Sequence, residues 1–315
     1  MNETRRELLA AFAEGPATGP ALAEELGVSR AAVWKQVEAL RDDGFEIEST
    51  PDGYAITGVP AYGAAAIEYG LDAPYTVEYH DSIGSTNDRA RELAADGDRD
   101  VVVVADEQTG SRGRLDRSWV APSGGIWASA VLQPSLPAAH VPLVTLAAGV
   151  AVVDACRSVG VEATLKWPND VLVGDDTADS QRGGLKLAGI LTEMEGEADR
   201  VSWLLVGIGL NANIDGDALP AGATSLREQV GDVDRRAVLQ TTLESLSTLL
   251  DASETVLDRW REYSSTLGRE VRVDTGREQI TGRAVDVRFP GALVIDTDSG
   301  EEVVHAGDCE HLRPA

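Results

Sequence analysis

The sequence predicts an α/β (α+β) chain of three modules, and three observations carry the prediction. Helical and strand periodicities alternate through the middle of the chain, the pattern of helices packed on a sheet. The first sixty residues instead read helix, helix, turn, helix, hairpin. From Gly268 the pattern changes to short alternating strands punctuated by Gly276, Gly282, Gly291 and Gly300, a small β-barrel-like module. A chain of 315 residues is expected to hold two or three domains. The boundaries are placed at 1–60, 61–267 and 268–315.

The first helix spans 3–15, with Leu8, Leu9 and Phe12 on one face and Gly15-Pro16 as its stop. Thr18 to Leu26 is a second, short helix. Gly27-Val28 turns the chain, and Ser29 caps a third helix whose apolar positions are Val33, Val37 and Leu40. Arg30, Lys35 and Gln36 are left outward. Phe45–Thr50 and Tyr54–Thr57 alternate as strands around Pro51-Asp52-Gly53. This order is a winged helix-turn-helix, whose third helix enters a major groove, so Ser29, Arg30, Lys35 and Gln36 are the candidate DNA contacts. Charge favours the competing reading, a protein-contact module. Residues 1–60 hold five basic and eleven acidic residues, net -6, whereas nucleic-acid affinity rests on neutralising phosphates.

Residues 58–74 read as a linker with one short helical turn. Tyr75–His80 is a strand, and Ser85-Thr86-Asn87 opens a helix running to about Ala95. Hydroxyls there serve as caps or bind a polar ligand. Val101–Ala105 is a buried strand that delivers the chain into Gln108–Trp119. The whole chain carries 53 acidic and 27 basic residues, a net charge of -26. Within Ser111–Trp119, Arg112, Arg114 and Arg117 face one acid, a local charge of +2. Gly110 and Gly113 free the backbone to approach a ligand, and arginine forks suit carboxylate and phosphate. This pattern points to an anion site. Pro122-Ser123-Gly124-Gly125 closes the loop, which is expected to be mobile alone and to order on binding.

Ile126–Leu132 is the next strand, and Val141–Val159 a long apolar helix packed on the sheet. Val161–Leu165 is a strand ending in Lys166-Trp167-Pro168-Asn169-Asp170. Val171–Val173 continues, and an acidic, polar loop spans 174–184. Leu185–Glu193 is a strand with Lys186 in an apolar run, a cation costly to bury without a negative partner. The chain has only three lysines, Lys35, Lys166 and Lys186, so two of them fall within 21 residues. Val201–Val206 is a strand leading to Gly207-Ile208-Gly209, which lacks the third glycine and the helix of a dinucleotide turn. Residues 235–250 and 254–266 are helices.

Cys156 and Cys309 lie far apart without metal-ligand spacing, and no metal site is assigned; both are read as free thiols of a reducing cytoplasm. No run of about 18 apolar residues suggests a membrane span, and the start is not a signal peptide. The surplus of acid fits a salt-rich, cytoplasmic setting.

Together, the loop 108–119, the cluster 166–170 and the strand 186–191 resemble the biotin protein ligases. The capped third helix with its hairpin is similar to the bifunctional form, the biotin operon repressor, and the likeness extends through the C-terminal strands. The resemblance implies a winged helix, a central mixed-sheet ligase domain and a C-terminal SH3-like β-barrel. It implies that biotin and ATP, with Mg²⁺, give biotinyl-adenylate, and that the acyl group then passes to a lysine of a biotin carboxyl carrier domain. Operator DNA and a homodimer are implied as partners. Biotin would be held by Ser85, Thr86, Asn87, Gln108, Arg112, Gly113, Arg114 and Lys186. The nucleotide would be held by Arg112, Arg117, Asn169 and Asn211. Lys186, Arg114, Lys166 and Asp170 would be catalytic, Lys186 between biotin carboxylate and α-phosphate and Asp170 as a base for the amine. Trp119 would be a hinge or packing anchor. The chain departs from the family pattern at Ser111 and Asp116, where glycines are usual, at Leu185, and in the long 174–184 connection. The rival readings are a lipoate ligase of the same fold and a ligand-sensing repressor without catalysis.

Overall fold

A computed structural model describes residues 3–114, 117–174, 183–197 and 200–312. Most of the expected polar loop 174–184 lies outside these residues, as does Asp116. The N-terminal unit is α1 (Glu3–Ala13), α2 (Gly19–Glu25), α3 (Arg30–Asp42) and the hairpin β1 (Glu46–Thr50)–β2 (Gly53–Gly58). Thr18 and Ser29 cap α2 and α3, their hydroxyls accepting from the amides of Ala21 and Ala32 at 3.3 and 3.1 Å. Leu8, Leu9, Phe12, Val33, Val37 and Leu40 form the core, as their helical spacing requires. Gly53 sits at φ +121, where a Cβ would lie 2.2 Å from the carbonyl oxygen of Ala17, so only glycine lets the wing close on the first turn.

The expected linker is not a free tether. Its helix α4 (Ala64–Glu68) belongs to two cores at once, Ala65 to the N-terminal one and Ile67 to the central one. Tyr69 meets Phe45 edge-on with ring centroids 6.0 Å apart. The Glu68 carboxylate is buried and accepts from the Val77 amide at 2.7 Å and from Arg6 Nε at 3.3 Å. Composition missed this because small apolar residues read as linker and as splint alike.

The central unit holds β3 (Thr76–Ile83), α5 (Thr86–Asp96), β4 (Val101–Gln108), β5 (Ile126–Leu132), α6 (Val141–Ser158), β6 (Ala163–Lys166) and β7 (Asp170–Val173). It continues with β8 (Leu185–Glu197), β9 (Arg200–Leu210), α7 (Leu226–Val230), α8 (Arg235–Asp251) and α9 (Val256–Tyr263). The sheet order is β3-β4-β5-β9-β8-β7-β6. It is a mixed sheet: β3 and β4 run parallel and the other pairs are antiparallel. Alternation in β4 sorts the faces, Val102 and Val104 packing into the large core with α6, Val103 packing with Ala90 and Leu93 of α5. By length and composition Ala138–Ser158 would suffice to cross a bilayer; in this fold α6 is the central core helix, buried against the sheet and α8. The Gly207-Ile208-Gly209 sequence lies inside β9 and makes no turn.

The C-terminal unit is β10 (Glu270–Asp274), β11 (Gln279–Arg288), β12 (Ala292–Thr297), β13 (Gly300–Val304) and β14 (Asp308–His311), antiparallel in the order β13-β12-β11-β10-β14. Among the described residues backbone pairing leaves β13 and β14 as the edges of this sheet, the unit in which the SH3-like barrel was expected. Its Val271, Leu293 and Ile295 continue the core of the central unit, and the Trp167 indole donates to the Gly291 carbonyl at 2.9 Å. Two elements escape the sequence reading, α7 and β14, each five residues or fewer. The helix expected over 254–266 ends at Tyr263.

Candidate active site

A cavity of about 530 Å³ opens on the sheet face beside α5. Each candidate named on the central unit lines it: Ser85, Thr86, Asn87, Gln108, Arg112, Gly113, Arg114, Arg117, Lys166, Asn169, Asp170, Lys186 and Asn211. They come from the start of α5, the end of β4, the arginine loop, the β6–β7 turn, β8 and the end of β9. Residues up to 126 apart in sequence thus share one wall system because neighbouring strands end there.

One end of the cavity is neutral and polar. Ser85 caps α5, its hydroxyl accepting from the Asp88 amide at 3.3 Å. Thr86 donates to Gln108 Oε1 from its amide at 2.7 Å and from its hydroxyl at 3.1 Å. The Ser129 hydroxyl stands 2.7 Å from Thr86 Oγ1 and 2.5 Å from Asn87 Oδ1. Asn87 can approach the sheet because residue 207 is glycine; a Cβ there would meet Asn87 Oδ1 at 2.3 Å. Asn87 Nδ2 is buried without a hydrogen-bond partner, an unsatisfied donor of the kind native interiors rarely leave. Ser129 and Gly207 were missed by sequence reasoning, since a strand serine and a strand glycine carry no signal by themselves.

The other end gathers cations, each beside a carboxylate or carbonyl. Lys186 Nζ lies 2.5 Å from Asp170 Oδ1 and 5.1 Å from the Trp119 ring centroid. A bulge turns it there: Val171 pairs with Ala188 and Leu172 with Lys186, so Leu187 is an extra residue. Leu187 stays in the core and Lys186 joins the cavity face, which alternation from Ala188 alone would deny it. Trp119 rests on Gly189 and Gly209, where Cβ atoms would meet its indole at 3.3 and 3.1 Å. Its role as packing anchor agrees with this placement. Ser111 donates its hydroxyl to the Trp119 carbonyl at 2.8 Å and ties the loop's neck.

Arg112 donates to both Asp88 oxygens, at 2.9 and 3.1 Å. Arg114 donates to Asn169 Oδ1 at 3.0 Å and to the Gly307 carbonyl at 2.9 Å. Burial pulls its guanidinium below the ordinary value, although nearby Asp308 and Asp170 act against that shift. Arg117 pairs with Asp308. Burial would raise the Asp308 carboxyl, but its bond to Arg117 and the charges of Arg117, Arg114 and Lys166 carry it below the usual carboxylate range. Lys166 is 6 % exposed. Asn169 Nδ2 donates to the Ile190 carbonyl at 2.7 Å while its Oδ1 holds Arg114. Asn211 donates to the Thr224 carbonyl at 2.9 Å, and its Oδ1 is buried without a partner.

Two wall segments were not anticipated. Asp308, Cys309 and Glu310 bring the C-terminal sheet into the cavity, and residues 219–223 line it while pairing with β8 beside Lys186 through the Lys186–Ala223 bridge. Burial pushes the Cys309 thiol up to about 12, against the pull of Lys166; Cys156 is likewise raised to about 12 by burial. Both are free, buried thiols, and burial disfavours the thiolate form. Far from the cavity, Ser29, Arg30 and Lys35 are exposed on α3. Gln36 is not: it is half-buried and accepts from Arg5 Nε at 3.2 Å, because the helical step from Lys35 carries it toward α1. The exposed face holds Trp34 instead, at 57 % exposure.

Comparison with known proteins follows the same three units. Residues 79–211 match the biotin/lipoate A/B protein ligase family, 4–55 an HTH domain, and 266–312 the biotin protein ligase C-terminal domain. The bifunctional ligase/repressor BirA of Bacillus subtilis is 33% identical over 97% of this chain and 98% of its own length. That of Escherichia coli is 29% identical over 94% of each. A biotin protein ligase of Aquifex aeolicus, solved in complex with biotin and ATP, superposes with a TM-score of 0.62 and 27% identity, covering 75% of this chain and 99% of that one. Identity at this level over nearly the full length of both chains, with the three units in the same order, means that the chain belongs to the biotin protein ligase family, in its bifunctional ligase/repressor form.

Proposed function

We propose that this protein activates biotin with ATP as biotinyl-5'-adenylate and transfers biotin to a lysine of a biotin carboxyl carrier domain. Its winged helix would make it a biotin-responsive repressor as well. The observation that carries the reading is one cavity with a neutral hydrogen-bonding end at 85–87, 108 and 129 and a cationic end at 112, 114, 117, 166 and 186. A ureido ring needs neutral donors and acceptors. A carboxylate meeting an α-phosphate needs fixed positive charge, since both reactants are anions and pyrophosphate leaves with more.

In this reading Ser85, Thr86, Asn87 and Gln108 bind the ureido ring, Asn87 through its unpartnered Nδ2. Lys186 lies between the two reacting anions and exchanges Asp170 for them. Arg112, Gly113, Arg114 and Arg117 cover biotin and the phosphates as the loop orders. Asn169 positions Arg114, and the Oδ1 of Asn211 accepts from the nucleotide. Lys166 adds charge on the nucleotide side. Asp170, once Lys186 moves to substrate, takes the proton of the incoming amine. Mg²⁺ would arrive on the phosphates of ATP, held mainly by those oxygens and water. A homodimer, operator DNA and a cytoplasmic location complete the proposal.

Exchange of labelled pyrophosphate into ATP, with Mg²⁺ and from low to molar salt, tests the first half-reaction without an acceptor. Exchange with biotin and none with lipoate is expected. Exchange with lipoate would assign the other branch of the family. No exchange at any salt in folded protein would leave a ligand-sensing repressor without catalysis.

A further inference from the structure

A second cavity, of about 200 Å³, lies between the start of α6, the edge of β8 and the C-terminal sheet. It shares Arg114, Asn169, Ile190 and Leu191 with the large cavity. Its remaining walls include Pro142, Thr145, Trp167, Thr192, His305 and Ala306. The topology explains its position. Strand β7 covers β8 only as far as Gly189, and beyond that point Asn169 holds the exposed edge through Ile190, accepting from its amide at 2.9 Å and donating to its carbonyl at 2.7 Å. The space past that edge is bounded by α6 and the C-terminal sheet, and the hydrogen-bonded pair Arg114–Asn169 stands between it and the cationic end of the active site.

We propose that this second cavity is the channel through which the acceptor lysine reaches the acyl group. The inference rests on the ligase reading of the main cavity. Once the adenylate fills that cavity, the amine needs another approach to the carbonyl carbon, and this is a separate opening that shares a wall with the cationic end. Arg114 is the one Lys, Arg, Asp or Glu among its lining residues. Such walls disfavour an ammonium and favour the neutral amine, which is the nucleophile. Apolar Pro142, Leu146 and Trp167 suit the four-carbon stem of lysine. The lysine leaves one proton in water on entering. Its nitrogen lone pair then forms the C–N bond, the C–O bond to phosphate breaks with its electron pair, AMP departs, and the second N–H proton passes to Asp170 and out to solvent.

The test separates the two half-reactions. Ala306→Trp narrows the channel at an exposed position, and Thr145→Phe narrows it from α6; neither residue lines the main cavity. For each variant three rates are measured: biotin-dependent pyrophosphate exchange, single-turnover transfer from enzyme-bound adenylate to a biotin carboxyl carrier domain, and reaction of that adenylate with hydroxylamine. Exchange and hydroxylamine reaction are expected near wild type, which also shows that the variants fold. The limiting transfer rate at saturating carrier is expected to fall on the order of 10²-fold, the scale of a misplaced reactant. Unchanged transfer in both variants would overturn the channel. So would a loss confined to the carrier KM, which marks surface docking, or an equal loss of exchange and transfer, which marks a wall of the adenylation site. Absence of exchange in the wild type would instead remove the ligase reading itself.

Discussion

At the scale of single residues, the cationic end stands in a waiting state. Lys186 rests on Asp170, Arg112 on Asp88 and Arg117 on Asp308. In the proposed reading, substrate anions exchange with these carboxylates at fixed cations. In Lys186→Ala the charge between the two reacting anions is gone, and we expect pyrophosphate exchange to fall about 10²-fold, the scale of one charge stabiliser. An exchange rate equal to wild type would refute that role. The carboxyl of Asp308 also sets a pH limit on the loop contact. Because its folded value lies below the unfolded one, the pairing contributes fully above the ordinary aspartate range and is lost as pH falls through the depressed value. Acid titration of Asp308→Asn against wild type, followed by a loop-sensitive probe such as Trp119 fluorescence, should therefore diverge above that range and converge below it.

Two elements carry predictions of their own. Helix α4 joins two cores, and its Glu68 satisfies the Val77 amide while pairing with Arg6. Glu68→Ala leaves a donor at the start of β3 without its acceptor, a cost of about 1–3 kcal/mol. Denaturant unfolding should show that loss, and limited proteolysis should release the N-terminal unit sooner. An unchanged midpoint would mean that α4 does not brace the units. Helix α3 presents Trp34 between Arg30 and Lys35 although the core beneath it is complete without it. With a net charge of -6 over residues 1–60, phosphate neutralisation supplies little affinity, and apolar burial in the groove must supply more. We expect Trp34→Ala to abolish selection of specific fragments from genomic DNA, with biotin and ATP present, while pyrophosphate exchange stays intact. Equal selection by the variant would return α3 to the role of a protein contact.

For the whole molecule the governing quantity is a net charge of -26. Self-repulsion at that charge opposes the compact state, and salt screens it, with a Debye length of about 3 Å at 1 M. The thermal midpoint should rise from low to molar salt. A midpoint indifferent to salt would separate the acidity from any adaptation to a salt-rich cytoplasm. The same acidity shows why the site had a signature in the sequence: three arginines within six residues, and two of only three lysines within 21, break a background that otherwise runs acidic and lysine-poor.

The sequence by itself determined the three-unit fold class, the capped helices of the first unit, the strands that carry the site and the cluster of cations on it, while the polar lining residues were named through the family resemblance. The former are local properties: periodicity, caps, glycine turns and charge contrast are all written within a few residues of one another. Only the tertiary structure decided the rest. It brought Asp308 and the 219–223 segment into the wall, turned Lys186 onto the cavity face through an extra residue in β8, sent Gln36 inward and Trp34 outward, and made a splint of the expected linker. Each of those outcomes depends on which strand edge, helix face or glycine lies across from a residue. Such pairings join positions tens to hundreds of residues apart, and no local pattern encodes them.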